Sequence, residues 1–267
     1  MGEAAEMLGR PLALVRRLTG GEHAQTVLCS DGVTDLVVRS FPVGDRAVAH
    51  EMDVLGRLEA LGEQVPRLVA ATIGDDGSRP VIVTTRVAGT HLSLDVDPHE
   101  AARGLARGLA LVHRLDGTGL RPAGVHPPTG LGPAAQRARD RWDELDRREP
   151  VLTHDDYWSG NTLWQGGSLS GIVDWSGARQ APRGVDLAWC RLDLVLLGCP
   201  AAARTLLHEY ERASGRQIAD IIGWDVQAAA HAEDVVESWA ANYAGVGRRH
   251  LTGRALRERL DRWSHDL

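Results

Sequence analysis

Lysine is missing from this 267-residue chain: all 30 of its Lys-plus-Arg positions are arginine. That absence excludes a Walker-type phosphate loop, whose Gly-Lys-Ser/Thr step sets an ammonium against the β- and γ-phosphates. It excludes Schiff-base chemistry as well. Cysteine is scarce too. Cys29, Cys190 and Cys199 are too few and too scattered for a disulfide framework, and none lies in a CxxC pair. The histidines form no HExxH or HxxxH pairing, so a zinc centre is not expected, and the cysteines read as small buried hydrophobes. No apolar run nears the ~20 residues that cross a bilayer. The amino-terminal MGEAAEMLGR lacks both the basic start and the apolar core of a signal peptide. A cytoplasmic protein without a membrane partner is expected. The net charge of −6 argues against nucleic acid as a partner.

What is present suits an ordinary globular chain, 43% apolar and 25% charged, long enough for two lobes around a shared cleft. Apolar runs from Leu12 to Leu18, Thr26 to Cys29 and Asp35 to Phe41 read as strands, with an Asp31-Gly32 hairpin signal between the last two. Val48, Met52, Leu55, Leu58 and Leu61 recur at helical spacing and are closed by Gly62. A short strand at Leu68 to Ile73 and a strong one at Val81 to Thr85 follow. After residues 85–89 the character turns helical. A helix over 99–115 carries Gly104 and Gly108 as a GxxxG pattern, which Arg103 and Arg107 remove from any membrane reading. A Pro/Gly-rich linker at 121–133 leads to a charged helix reaching about Arg148. Four more helices are expected at 186–197, 200–213, 225–243 and 252–264. The pattern predicts an α+β chain: a small β-rich lobe over 1–88 and a larger helical lobe over 89–267.

The most informative stretch is 151–175, VLTHDDYWSGNTLWQGGSLSGIVDW. It holds His154, Asp156 and Asn161 in the order His-x-Asp-x-x-x-x-Asn. A hairpin then leads to Asp174. Phosphoryl transfer accounts for this set. Its transition state is loose, so catalysis is positioning and charge neutralisation. One carboxylate, Asp156, takes the proton of an acceptor hydroxyl. A second carboxylate and an amide oxygen, Asp174 and Asn161, suit Mg²⁺, a hard ion that keeps several waters and needs few protein ligands.

This segment resembles the catalytic loop of the aminoglycoside phosphotransferase and choline kinase superfamily, whose pattern is His-Gly-Asp-x-x-x-x-Asn followed by Ile-Asp-Trp. The match runs through His154, Asp156, Asn161, Ile172-Val173-Asp174-Trp175 and Pro182-Arg183-Gly184-Val185-Asp186-Leu187-Ala188. Arg86-Val87-Ala88-Gly89 and Leu109-Ala110-Leu111-Val112-His113 extend it, though it is specific only around 151–190. The resemblance implies a protein-kinase-like two-lobed fold and a small-molecule kinase using ATP or GTP with Mg²⁺. Its catalytic residues would be Asp156 and His154, with Asn161 and Asp174 on the metal and Asp186 bracing the loop. Arg39 would contact phosphate and pair with Glu51, since a guanidinium binds phosphate oxygens bidentately. Gly20 and Gly21 would cover the phosphates, and the strand end at Thr85 and Val87 would meet the nucleotide base. Asp155 stands where the family has Gly and is expected to point into solvent.

No Ala-Pro-Glu activation segment follows Asp174, so the partners are expected to be a nucleotide and a small-molecule acceptor, with the chain a monomer or homodimer. Glu233, Asp234 and Glu237 lie in a stretch without arginine. Glu233 and Glu237, four apart, share one face of the expected 225–243 helix. They suggest a cationic acceptor, first an aminoglycoside-like antibiotic. An amino alcohol, a sugar or a homoserine-like metabolite are alternatives. A nucleotide-binding pseudokinase module is the alternative of another class. A metal phosphohydrolase built on His154-Asp155 would need further histidines on neighbouring helices, and the sequence offers no such set.

Overall fold

The computed structural model describes residues 2–18, 24–75, 77–122 and 126–267. It divides into two compact units, one of Met1–Ala88 with Gly171–Ser176, the other of Gly89–Ser170 with Gly177–Leu267. The return of Gly171–Ser176 to the first unit is the feature that a single cut after residue 88 does not capture.

The first unit is a five-stranded antiparallel sheet with three apolar strands at its heart. Its strands are β1 (Ala13–Arg17), β2 (Gln25–Ser30), β3 (Asp35–Ser40), β4 (Leu68–Thr72) and β5 (Val81–Thr85), in the order β1-β2-β3-β5-β4. The β2–β3 turn is the Asp-Gly hairpin. Asp31 Oδ1 accepts the amides of Val33 (2.9 Å) and Thr34 (2.7 Å), and Gly32 takes φ 92°. Alternate residues Leu36 and Val38 of β3 join Cys29, Val81 and Val83 in one buried cluster. That cluster is closed by Ala4 and Met7 of α1 (Gly2–Leu8), a helix the sequence pattern did not announce. Helix α2 (Ala47–Arg57) buries Val48, Val54 and Leu55. It is shorter than the apolar spacing suggests, because Leu58 leads into a 3₁₀ segment kinked at Gly62, φ 59°.

The second unit is mainly helical. Its helices are α3 (Pro98–Val112), α4 (Pro133–Asp140), α5 (Gly184–Leu196), α6 (Pro200–Ser214), α7 (Ile221–Ala232), α8 (Ala240–Gly245) and α9 (Gly253–Asp266). Asp97 caps α3 by accepting the amides of His99 and Glu100. The GxxxG pattern is a packing device here. A Cβ at Gly104 would stand 2.8 Å from the Trp164 ring, so the glycine makes room for the indole. The expected charged helix to Arg148 stops at Asp140. The expected 225–243 helix is broken: α7 ends at Ala232, a 3₁₀ turn at Val236–Trp239 intervenes, and α8 starts at Ala240. Two short strands, β6 (Val151–Thr153) and β9 (Arg179–Ala181), pair antiparallel. The hairpin β7 (Thr162–Gln165) and β8 (Ser168–Ile172) lies between them. Among the described residues, no helix is long and apolar enough to cross a membrane.

Helix α5 is the axis of this unit, and a buried ion pair ties it to α7. Arg191 Nε and Nη2 donate to Asp225 at 2.9 and 2.7 Å, and Nη1 donates to the Ala203 carbonyl at 2.6 Å. Removing one partner of such a pair strands the other charge without water. Asp225→Ala is therefore expected to cost about 3–5 kcal/mol in urea unfolding. Replacing both residues by apolar ones should cost much less. A single-variant loss below about 1 kcal/mol would contradict this role for the pair.

Candidate active site

In the second unit, β6 and β9 pin both ends of the segment 154–178, and α5 holds the loop within it by two carboxylates. Asp186 is fully buried and accepts the backbone amides of His154 and Asp155, each at 2.7 Å, one on each oxygen. His113 Nε2 lies 3.2 Å from Asp186 Oδ2, and its Nδ1 lies 2.7 Å from the Tyr210 hydroxyl. Burial pushes the His113 pKa down, against the pull of Asp186. A ring with Nε2–H donating to the carboxylate and Nδ1 accepting from Tyr210 satisfies both partners. Two turns along α5, Asp193 accepts the Ser159 amide at 2.9 Å and the Tyr243 hydroxyl at 2.8 Å. Sequence reasoning named Asp186 and missed Asp193. Its signal was there: two aspartates seven apart on one face of a helix that, apart from Arg191, is otherwise apolar.

The loop held in this way presents Asp156. Its Oδ2 accepts from the Asn161 side-chain amide at 2.8 Å, and its Oδ1 from the Trp189 indole N–H at 3.0 Å. The same amide nitrogen donates to the Asp156 carbonyl at 2.9 Å. With its NH₂ committed to Asp156, Asn161 has its amide oxygen left to offer a ligand. His154 is fully buried, its ring edge-on to Tyr157.

Asp155 does not point into solvent. Its side chain is 22% exposed and pairs with Arg179 at 2.6 Å. Its φ is 66°, a left-handed conformation that glycine adopts freely and that Asp tolerates better than most residues. The turn geometry accounts for the family's glycine at this position. Burial pushes the Asp155 carboxyl up to about 7, opposed by Arg179 and aided by Asp186 and Asp156.

In the first unit, Arg39 of β3 lies between two carboxylates. Nη1 donates to Glu51 of α2 at 2.5 Å, and Nη2 lies 3.3 Å from Asp174 Oδ1. Glu51 is buried, which pushes its pKa up against the pull of Arg39. Arg39 also lies over the Phe41 ring, 5.2 Å from its centre. Asp174, like Asp155, takes a positive φ of 62°, keeps its carboxylate 40% exposed and accepts the Ser176 hydroxyl at 3.0 Å. The Asp174 carboxylate here and the Asn161 amide oxygen of the second unit are each a hard oxygen donor of the kind Mg²⁺ takes. Among the described residues, no three His, Cys, Asp or Glu are grouped to hold an ion.

Thr85 ends β5, its N–H donating to the Arg67 carbonyl and its hydroxyl accepting the Arg67 amide, both at 2.9 Å. Val87 is buried, close enough to Gly171 that a Cβ there would stand 2.2 Å from its Cγ1. Gly20 and Gly21 lie outside the described residues.

The acidic wall expected at Glu233, Asp234 and Glu237 is not built as the sequence suggested, because the helix that would align them ends at Ala232. Glu233 instead caps α4, accepting the Ala134 and Ala135 amides at 3.0 and 3.1 Å. A Cβ at Gly132 would lie 2.2 Å from that carboxylate, so the side chain missing at the α4 N-cap leaves room for its substitute. Glu237 forms a two-pronged pair with Arg257 of α9, at 2.6 and 2.7 Å. Asp234 is exposed.

The family model described as the phosphotransferase enzyme family, APH, matches residues 14–147 and 130–226. No curated protein matches the sequence significantly. Solved structures share the fold at low identity. Macrolide 2'-phosphotransferase MphH from Brachybacterium faecium is 18% identical, with 92% of this chain and 95% of that one covered and a TM-score of 0.63. The amicoumacin kinase hAmiN, in complex with AMP-PNP, Ca²⁺ and Ami, is 10% identical, with coverages of 98% and 92% and a TM-score of 0.68. A thermostable aminoglycoside phosphotransferase APH(4)-Ia variant with ADP and hygromycin B is 15% identical, with coverages of 95% and 97% and a TM-score of 0.63.

Asp155 gives this site a signature in pH. Its ordinary value is 3.8 and its folded value about 7. Between these the folded chain holds a proton that the unfolded chain has lost, so this carboxyl's contribution to stability declines as pH rises through 7. Asp155→Asn abolishes the change. The melting temperature of the variant minus that of the wild type should be more positive at pH 8 than at pH 5. A difference that stays constant between the two would rule out the raised carboxyl.

Proposed function

Because the chain belongs to the phosphotransferase enzyme family, and is thus an enzyme that moves a phosphoryl group onto a hydroxyl, we propose that it is a nucleotide-dependent kinase of a small antibiotic-type alcohol with Asp156 as its base. The observation that carries this reading is the Asp156 carboxylate. One oxygen is held by Asn161 and the other by Trp189, on a loop whose backbone is fixed by Asp186 and Asp193. A general base works only within hydrogen-bond reach of the proton it removes, so a carboxylate fixed at both oxygens is suited to the task.

The other residues take roles that their surroundings support. Asn161 and Asp174 are the ligands of Mg²⁺, which when bound neutralises phosphate charge and orients the donor. Arg39, steered by Glu51, binds the phosphates; the role of covering them, which the family resemblance gives to Gly20 and Gly21, falls outside the described residues. With the Thr85 N–H and hydroxyl taken by Arg67, base recognition falls to backbone groups further along, towards Val87. His154 acts through its backbone, which sets the turn before Asp156. Residues 1–88 cover the nucleotide, and 89–267 carry the catalytic loop and the acceptor-binding helices. ADP and AMP-PNP in the structures of similar fold favour an adenine nucleotide as donor. An ATP-dependent kinase needs a compartment supplied with ATP, and the cytoplasm is the one this reading assigns to it. Macrolide, amicoumacin and hygromycin B are the molecules with which those proteins are named, and they favour an antibiotic-type acceptor.

An ADP-release screen over macrolides, aminoglycosides, amino alcohols and sugars tests the reading. Asp156→Asn should lower kcat on the best acceptor by about 10²–10⁴ while nucleotide affinity stays near wild type. A variant that keeps a third of the activity would remove Asp156 from the role.

A further inference from the structure

The chain has few aromatic residues, 12 in all by its count of eight Trp, three Tyr and one Phe, yet several of them gather beside Asp156. Trp189 is fixed there by its indole N–H, which donates to Asp156 Oδ1 at 3.0 Å. Its ring meets His231 of α7 and Trp239 of the following 3₁₀ turn edge to face, each with ring centres 5.3 Å apart. Trp158 of the loop meets Tyr243 of α8 in the same way at 5.4 Å. Trp158, Trp189 and Trp239 are only half-buried, and His231 is exposed. A partly exposed indole keeps apolar ring surface available to a ligand while its N–H is satisfied.

Apart from Asp234, which is exposed, the nearby acids are engaged elsewhere. Glu233 caps α4, Glu237 pairs with Arg257, Asp225 with Arg191 and Asp155 with Arg179. An alcohol that gives its proton to Asp156 must put its hydroxyl within about 3 Å of that carboxylate. The atoms that carry the hydroxyl then lie near the groups that hold Asp156, the Trp189 indole with its ring neighbours Trp239 and His231 among them.

We propose that Trp189 is the positioning residue for Asp156 and that Trp189, Trp239 and His231 form the wall of the acceptor subsite, which takes an alcohol with a hydrocarbon face beside its hydroxyl. The proposal rests on the phosphotransferase reading, with Asp156 as base. A polycationic acceptor would need free carboxylates to offset its desolvation. A macrolide-like ring needs apolar surface, and the indoles provide it. Trp189 joins the two tasks, because the ring that meets the acceptor also carries the N–H that orients the base.

Two measurements on the full chain test it. The first is steady-state ADP release with water as the acceptor, which reads positioning without any identified substrate. Trp189→Phe keeps a ring and loses the N–H. It should lower kcat about tenfold, as loss of a hydrogen bond to a charged group does, with nucleotide KM and melting temperature unchanged. An unchanged kcat overturns the positioning role, and so does a fall that tracks a lower melting temperature. The second is calorimetric binding of erythromycin and hygromycin B. Erythromycin should bind the more tightly, with a Kd indifferent to salt between 50 and 500 mM and weakened about tenfold by Trp239→Ala. Tighter, salt-sensitive binding of hygromycin B overturns the proposed class, as does binding of neither probe. If the wild type releases no ADP with water or any acceptor, the kinase reading fails, while calorimetry still decides the wall.

Discussion

One buried carboxylate organises the catalytic half of this protein. Asp186 sits at the start of α5, fully removed from water, with one oxygen on the amide of His154 and the other on the amide of Asp155. A buried charge is tolerable only when its hydrogen bonds are satisfied, and the loop supplies them from its own backbone. The dependence runs both ways. The carboxylate needs those amides, and the amides fix the turn that delivers Asp156. Asp193 repeats the arrangement two turns on at Ser159, so α5 grips the loop on both sides of the base. The pair of Arg191 and Asp225 then locks α5 to α7, whose end carries His231.

Local strain marks the same places. Of the described residues other than glycine, Glu149, Asp155 and Asp174 have positive φ, and two of these three belong to the proposed catalytic set or adjoin it. Asp is among the few side chains that accept the left-handed region at modest cost. At position 155 a glycine would meet that requirement with no side chain at all. Here Asp meets it and gains an ion pair with Arg179, at the expense of a carboxyl half-withdrawn from water. At position 174 the conformation ends the run of β8 and leaves the carboxylate exposed, with one oxygen held by Ser176 and Arg39.

Much of this was legible in the sequence because it follows from local rules. The Asp31-Gly32 hairpin, the alternation of Leu36 and Val38, and the apolar run at Val81 to Thr85 each carry their own signal. The spacing of His154, Asp156, Asn161 and Asp174 likewise reflects one continuous segment. What escaped was long-range. Glu233 and Glu237 looked like one acidic face because helix periodicity cannot register that α7 ends at Ala232. Nor can it register that the two carboxylates are claimed by the α4 amides and by Arg257. Asp193 and Trp189 bring together residues 33 to 50 positions apart. The amino-terminal helix α1 escaped for a related reason: seven residues are too few for periodicity to speak, and packing on the sheet decides the matter.

The central claim is that the Asp186 carboxylate, more than the sequence of the loop itself, holds the base in place. Residue-resolved amide hydrogen exchange on Asp186→Asn tests it most directly, since Asn offers only one acceptor oxygen for the two amides. The account predicts that exchange at His154 and Asp155 accelerates at least about tenfold, while protection in β3 and β5 of the first unit stays as in wild type. Unchanged protection at His154 and Asp155 would contradict it.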